Sequence, residues 1–343
     1  METSFLPTTI PAAKLKAVEM ALLETFGDIN LTDVTPLKGG LSGSLVFKIA
    51  MDDQSYILKI AMDESPVLDD NSFNCLEIAS QAGVAPAIFY IDRREGISIT
   101  AFITNVPLRA VFNSPDSLLP ELAKTIRQIH QMPLFEKENN LLLTVDTLVT
   151  NFRNSGMLAG PEVNESLHYF DMIRKHYPWH EGDNVSSHND LNPSNITSDG
   201  EKIWVIDWDM ASQSDRYVDL AIVANFFVHT DEDERLFLEN YFGSAPDEYK
   251  KARFFLMRQT CRIIYAALMF KLADKLKPAG EEHNADMQVP DLKEIGERMR
   301  AGTMQLSSYE GQLIYGKAMI NEALKKMQSP RFNKSLKDME QAG

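Results

Sequence analysis

The chain has 343 residues, 44% of them hydrophobic and 24% charged, which is enough to build one large domain or two lobes and excludes a wholly disordered protein. Its formal net charge is −15. A surface that acidic opposes binding to nucleic acid or to anionic membranes and suits small cationic partners. The two cysteines, Cys75 and Cys261, stand in no metal-ligand spacing and fit a reducing, cytoplasmic setting.

The first elements alternate between helix and strand. Leu15, Val18, Leu22 and Phe26 share a helical face over residues 12–26. The segment "DVTPLKGGLSGSLVFKIAMDDQSYILKIAM" then predicts strand, glycine turn, strand, Asp-Asp turn and strand. "NCLEIASQAG" predicts a helix closing at Gly83, and "PAIFYIDRREGISITAFI" two more strands around Glu95-Gly96. Beyond Asn105 the pattern turns helical, with a stripe at Leu119, Leu122, Ile126 and Ile129. Residues 134–160 read as irregular and "ESLHYFDMIRKHY" as a helix. A polar loop "SSHNDLNPSNI", a short strand "IWVID" and a mainly helical stretch from Asp219 follow. Residues 277–290 read as a polar loop, 309–327 as a last helix and the remainder as a frayed tail. No apolar run approaches the ~20 residues of a membrane helix, and no signal peptide is evident. The expected fold is α+β, with an antiparallel β-rich lobe over 1–105 and a larger helical lobe over 106–343.

Chemistry concentrates in the order His188-x-Asp190-x-x-x-x-Asn195, followed by "VIDWD" ending a strand at Asp207. Phosphoryl transfer asks for one carboxylate to orient an attacking hydroxyl and take its proton, and for oxygen ligands to a hard cation. Asp190 fits the first role, and Asn195 and Asp207 the second. His188 reads as an anchor of the loop. Taken singly, these residues are also what a polar turn and a strand end require. Asp209 reads as a second ligand, a substrate contact or a structural hydrogen bond.

Together the segments resemble the choline/ethanolamine kinase and aminoglycoside phosphotransferase family, bacterial choline-kinase-like branch, whose fold is that of the protein kinases. "HNDLNPSN" resembles its catalytic loop and "VIDWDMASQSDRYVDLA" its metal-binding segment and following helix. The resemblance implies ATP and Mg²⁺ as cofactors, Asp190 as catalytic base, and Asn195 and Asp207 as catalytic metal ligands. Asp219 would hold the catalytic loop's backbone. In the first lobe Gly39, Gly40 and Gly43 would approach the phosphates. Lys59, in "YILKI", would hold them, paired with Glu77 or, as the alternative, with Glu64. Phe102 to Thr104 would meet the adenine through their backbone. The acceptor would be a small hydroxylated molecule, cationic in the choline, ethanolamine and aminoglycoside cases, in a monomer or homodimer. Trp208, Tyr217, Phe254, Phe255 and Tyr265 are candidates for an aromatic cage, with core packing as the plainer account of each. "DEDE", Asp231 to Glu234, is either a carboxylate cluster for an aminoglycoside or a solvated helix start. A kinase-like nucleotide-binding module without catalysis is the alternative, and a metal-dependent hydrolase using His188, Asp190 and Asp207 a third reading.

Overall fold

The computed structural model describes residues 10–37, 44–62, 70–180, 183–280 and 282–342. Gly39, Gly40, Gly43 and Glu64 lie outside the described residues. The chain forms two compact units, residues 1–138 with 185–213, and residues 139–184 with 214–343.

The first unit opens with helix α1 (Ala12–Phe26) and strands β1 (Asp33–Pro36), β2 (Leu45–Met51) and β3 (Gln54–Ile60). Helix α2 (Asp70–Gln81), β4 (Ile88–Asp92), β5 (Ile97–Ala101), the short α3 (Leu108–Val111) and α4 (Pro115–His130) follow. Later in the chain come β6 (Asn184–Ser187), β7 (Ile196–Ser198), β8 (Ile203–Val205), a 3-10 turn at Trp208–Met210, and β9 (Ser212–Asp215). Strands β1 to β5 make one antiparallel sheet in the order β1-β2-β3-β5-β4.

Side chains alternate across a strand, so register decides which of them share a face. Phe47 pairs with Leu58, and Leu58 with Ile99. With Ile49, Tyr56, Ile60 and Ile97 they form a buried face covered by Val18, Ala21 and Leu22 of α1. The opposite face is set by the intervening pairs: Val46 opposite Lys59 and Lys59 opposite Ser98, Lys48 opposite Ile57 and Ile57 opposite Thr100. Lys59 therefore stands on the face that α1 leaves open. The Asp-Asp turn between β2 and β3 forms as expected, with Asp52 in the left-handed region at φ 52°. In α4 the predicted stripe, Leu119, Leu122, Ile126 and Ile129, is fully buried.

The second unit is helical: α5 (Leu141–Ser155), α6 (Pro161–His176), α7 (Tyr217–Phe227), α8 (Asp231–Phe242), α9 (Glu248–Leu276), α10 (Leu292–Arg300), α11 (Tyr309–Met327) and α12 (Pro330–Ala342). Two expectations are corrected here. Residues 141–155 are a helix, started by Asn140, whose side chain accepts from the Leu143 N–H at 3.0 Å, and held by burial of Val145, Val149 and Phe152. The tail is not frayed, because Phe332, Leu336 and Met339 recur at helical spacing and are buried. The described residues of 277–290 form the expected loop; Lys317 of α11 donates to the Asp286 carbonyl at 2.8 Å and Asn321 to that of Met287 at 2.8 Å. Helix α9 packs against α5, α6, α7, α11 and α12 and is the axis of this unit. Its Arg253, 1% exposed, is neutralised by Asp183 at 2.7 Å and Asp215 at 2.8 Å. Among the described residues no helix is long and apolar enough to cross a membrane.

Phe270 of α9 stacks on Phe152 of α5 with ring centroids 5.0 Å apart. Gly316 of α11 meets its edge so closely that a Cβ there would lie 2.5 Å from the ring. Alanine normally gains up to about 1 kcal/mol over glycine within a helix, but overpacking costs about 1–3 kcal/mol and the stacked ring cannot yield easily. Gly316→Ala is therefore expected to lower the midpoint of denaturant unfolding.

Candidate active site

The groups that matter converge within the first unit. Strand β7 and strand β8 form a hairpin in which Ile196 pairs with Val205, Thr197 with Trp204 and Ser198 with Ile203. One step further along this register the Asn195 carbonyl accepts the Ile206 N–H at 3.0 Å. The hairpin thus brings Asn195, just before β7, beside the strand end that carries Asp207. Asp199 closes its turn, accepting from the N–H groups of Glu201 (2.9 Å) and Lys202 (3.0 Å) and from the Trp204 indole (2.7 Å). These donors pull the Asp199 carboxyl down to about 2.

The hairpin is tied to the sheet. The Val205 N–H donates to the Val84 carbonyl at 2.9 Å, and Lys202 to that of Gly83 at 2.7 Å. The Val106 N–H donates to Ser198 at 2.7 Å and the Thr197 hydroxyl to Asn105 at 2.8 Å. The segment leaving β5 is therefore fixed alongside β7.

The loop before β7 is held by its own polar residues. His188 is fully buried, edge-on to Trp208 at 4.8 Å. Its Nδ1 accepts the Asp190 N–H at 3.3 Å, so its Nε2 carries the proton and donates to the Ile206 carbonyl at 3.1 Å. Asn189 adopts φ 63°, a conformation asparagine tolerates, and its amide donates to Met210 (3.0 Å) and Ser212 (2.9 Å). Asp190 emerges from this frame with both carboxylate oxygens engaged by amides, Oδ1 by Asn192 and Oδ2 by Asn195, each at 3.0 Å.

At the end of β8 Asp207 also takes a left-handed conformation, φ 63°, at a cost of about 1 kcal/mol. The bend lets two carboxylates reach one ammonium: Lys59 Nζ is 2.8 Å from Asp207 Oδ1 and 2.7 Å from Asp209 Oδ2. Burial by itself would lower Lys59, but the two carboxylates outweigh it and hold the ammonium above its ordinary value. Burial would likewise raise Asp207, but Lys59 overrides it and the carboxyl falls below the usual range. Asp209 moves up, through burial, with the neighbouring Asp207 adding to the rise against the pull of Lys59.

The sequence-predicted residues divide as follows. Lys59, Asp190, Asn195 and Asp207 stand in this one unit on interlocking elements. The expected Lys59–Glu77 pair does not form. Glu77 accepts from Arg93 at 2.6 Å, on the exposed side of α2. The reason is helical phase: α2 faces the 3-10 turn through Asn71, which donates to the Ala211 carbonyl at 2.8 Å, and Cys75, whose Sγ lies 3.7 Å from the same oxygen. Two residues beyond Cys75, Glu77 is turned about 200° away. Asp209, which the sequence leaves open between a ligand, a substrate contact and a structural hydrogen bond, pairs with Lys59 at 2.7 Å. The Phe102 N–H is engaged by the Ser55 carbonyl at 3.3 Å, and Thr104 is exposed. Asp219 is buried on α7. Of the cage candidates Trp208, Tyr217, Phe254 and Phe255 are buried, and Tyr265 is partly exposed, edge-on to Phe226 at 6.2 Å. Asp231 to Glu234 begin α8, capped by Thr230, with Glu234 paired to Arg258 and Arg331. The Asn189 brace and the Asp209 contact were missed from sequence; the Asp-x-Asp spacing at 207 and 209 was the only signal for the second.

A divalent cation fits this donor set. The Asn195 amide nitrogen is spent on Asp190, which leaves its carbonyl oxygen for other contacts, and Lys59 takes only one Asp207 oxygen. Among the described residues no group of three or more His, Cys, Asp or Glu side chains could hold a metal alone. Two protein oxygens suit Mg²⁺, which commonly completes its shell with water and substrate phosphates.

The model of the phosphotransferase enzyme family matches residues 33–255. A choline/ethanolamine kinase family protein from Mesorhizobium loti superposes with a TM-score of 0.70 at 18% identity, over 96% of this chain and 97% of that one. A spectinomycin phosphotransferase solved with ADP and spectinomycin does so with a TM-score of 0.56 at 15% identity, over 88% and 98%. At these identities the likeness is one of fold: a kinase-like fold with an antiparallel sheet lobe and a helical lobe. An uncharacterized protein of Metamycoplasma hominis is 24% identical over 137 residues, 38% of this chain, and the match spans 26% of that relative's length.

Two outcomes follow from this geometry. Because Glu77 pairs at the surface with Arg93, Glu77→Gln should leave phosphotransferase turnover with a responsive acceptor within about twofold of wild type, as exposed pairs contribute little. Asp199, held below its unfolded value, stabilises the hairpin fully above about pH 4 and progressively less as pH falls toward about 2. Asp199→Asn should flatten that part of the acid-unfolding curve monitored by Trp fluorescence.

Proposed function

Because the chain belongs to the phosphotransferase enzyme family, we propose that it transfers the γ-phosphate of ATP, with Mg²⁺, to a hydroxyl of a small acceptor such as choline, ethanolamine or an aminoglycoside. The observation that carries this reading is the assembly of Lys59, Asp190, Asn195 and Asp207 by one hairpin and one strand, in the order and chemistry that phosphoryl transfer requires. The overall charge of −15 favours a cationic acceptor.

Lys59 receives the α- and β-phosphates on the open face of the sheet, flanked by Val46, Ile57 and Ser98. Asn195 and Asp207 are the residues that would hold Mg²⁺, which when bound neutralises charge on the phosphates. Asp190 accepts a hydrogen bond from the acceptor hydroxyl and aligns it with the γ-phosphorus. As the acceptor oxygen bonds to phosphorus, its proton passes to the Asp190 carboxylate, and the bond to the β–γ bridging oxygen breaks with its electron pair leaving on ADP. The amides of Asn192 and Asn195 hold the Asp190 carboxylate in one orientation, so little reorganisation is needed at that moment.

ADP release from MgATP across a panel of choline, ethanolamine, thiamine, aminoglycosides, homoserine and simple sugars tests this reading. One acceptor class should raise ADP release in wild type. Asp190→Ala should lower kcat by about 10³-fold while MgATP affinity stays within about threefold, as expected for a group that acts mainly in the transition state. Unchanged turnover in Asp190→Ala would sink the assignment.

A further inference from the structure

Among the described residues Lys59 has two carboxylate partners, Asp207 and Asp209, and they are not equivalent. Asp209 is 11% exposed at its side chain and Asp207 is 35% exposed. Asp209 lies in the 3-10 turn Trp208–Met210, which is braced from both ends. Trp208 is buried, with its indole N–H donating to the Val205 carbonyl at 3.1 Å. The Met210 carbonyl accepts from Asn189, and the Ala211 carbonyl from Asn71 of α2. Asp209 is thus an interior carboxylate on a fixed turn, whereas Asp207 is the accessible one, at the strand end beside Asn195.

We propose that Asp209 is the standing partner of Lys59, which keeps this ammonium in place while Asp207 leaves it for the nucleotide-bound cation. A lysine on a half-buried sheet face needs a counter-charge when no nucleotide is bound, and a fixed one keeps its ammonium in place when the cation draws Asp207 away. Among the described residues of α2 no carboxylate reaches it, since Glu77 is committed to Arg93. With Asp207 as its only partner, Lys59 and the cation would compete for one carboxylate. With Asp209 present, Asp207 can change partner without leaving Lys59 uncompensated. Asp209 is in this sense a positioning residue: it acts on the phosphates through Lys59 and on the metal site by freeing Asp207. The inference rests on the phosphotransfer reading only in taking nucleotide phosphates and Mg²⁺ as the ligands.

The test is a double-mutant cycle in nucleotide affinity, with no acceptor and no turnover involved. ATP is titrated in excess EDTA and in excess Mg²⁺ against wild type, Asp209→Asn, Lys59→Met and the double variant, and the factor by which Mg²⁺ strengthens binding is read for each. Asp209→Asn should shrink that factor about tenfold in the wild-type background, a usual size for coupled sites, and change it less than about twofold in the Lys59→Met background. An equal loss in both backgrounds would mean that Asp209 acts on the cation directly, and no loss in either would mean that it does nothing for nucleotide binding; both overturn the proposal. If Lys59→Met binds ATP too weakly to titrate, the thermal midpoints of the four ligand-free proteins give a second cycle. There the two single losses should exceed the double loss, and strict additivity would overturn the pairing. A failed acceptor screen alongside an intact cycle would condemn the phosphotransfer reading alone.

Discussion

The interaction on which the site depends is the pairing of one lysine ammonium with two aspartates. Lys59 lies on strand β3, and its neighbours in the sheet, Val46 and Ser98, fix which way its side chain leaves the sheet. Its partners lie about 150 residues along the chain, at 207 and 209. A half-buried ammonium without carboxylates would cost several kcal/mol. The demand for compensation therefore selects a backbone path, through the left-handed Asp207, that delivers two charges to one point.

That path exists because of the β7–β8 hairpin. Its register determines that Asn195 and Asp207 flank the same end, and its turn is closed by a single side chain, Asp199. The loop upstream gains its shape from residues that otherwise look like a simple polar turn. His188 is spent on the Asp190 N–H and the Ile206 carbonyl, and Asn189 on Met210 and Ser212. The composition that makes "SSHNDLNPSN" resemble a turn is the same composition that aims Asp190.

Much of this was legible in the sequence. The alternation in "YILKI" puts Lys59 opposite the buried Leu58 and Ile60, and the apolar run before Asp207 marks a strand end. The helical stripe at Leu119, Leu122, Ile126 and Ile129 was equally plain. The phase of α2 was harder to read. The family resemblance implies Glu77 as the partner of Lys59, yet only packing reveals that α2 faces inward through Asn71 and Cys75. Helix α5 escaped notice because Thr144, Val145, Thr147, Val149 and Thr150 are β-branched residues of low helix propensity, and its formation depends on burying Val145, Val149 and Phe152. The tail reads as frayed in sequence because α12 buries only a narrow stripe beneath charged residues. The aromatic residues that sequence offers for a cage are mostly core, as Tyr217, Phe254 and Phe255 demonstrate, so the acceptor is the feature the sequence records least.

The most direct test of the account is the fate of the γ-phosphate. Phosphorus NMR of MgATP incubated with the protein and a responsive acceptor should reveal a new phosphomonoester resonance growing in equal amount with ADP. ADP accompanied by inorganic phosphate alone, with no phosphomonoester, would contradict the account and make the site a hydrolase.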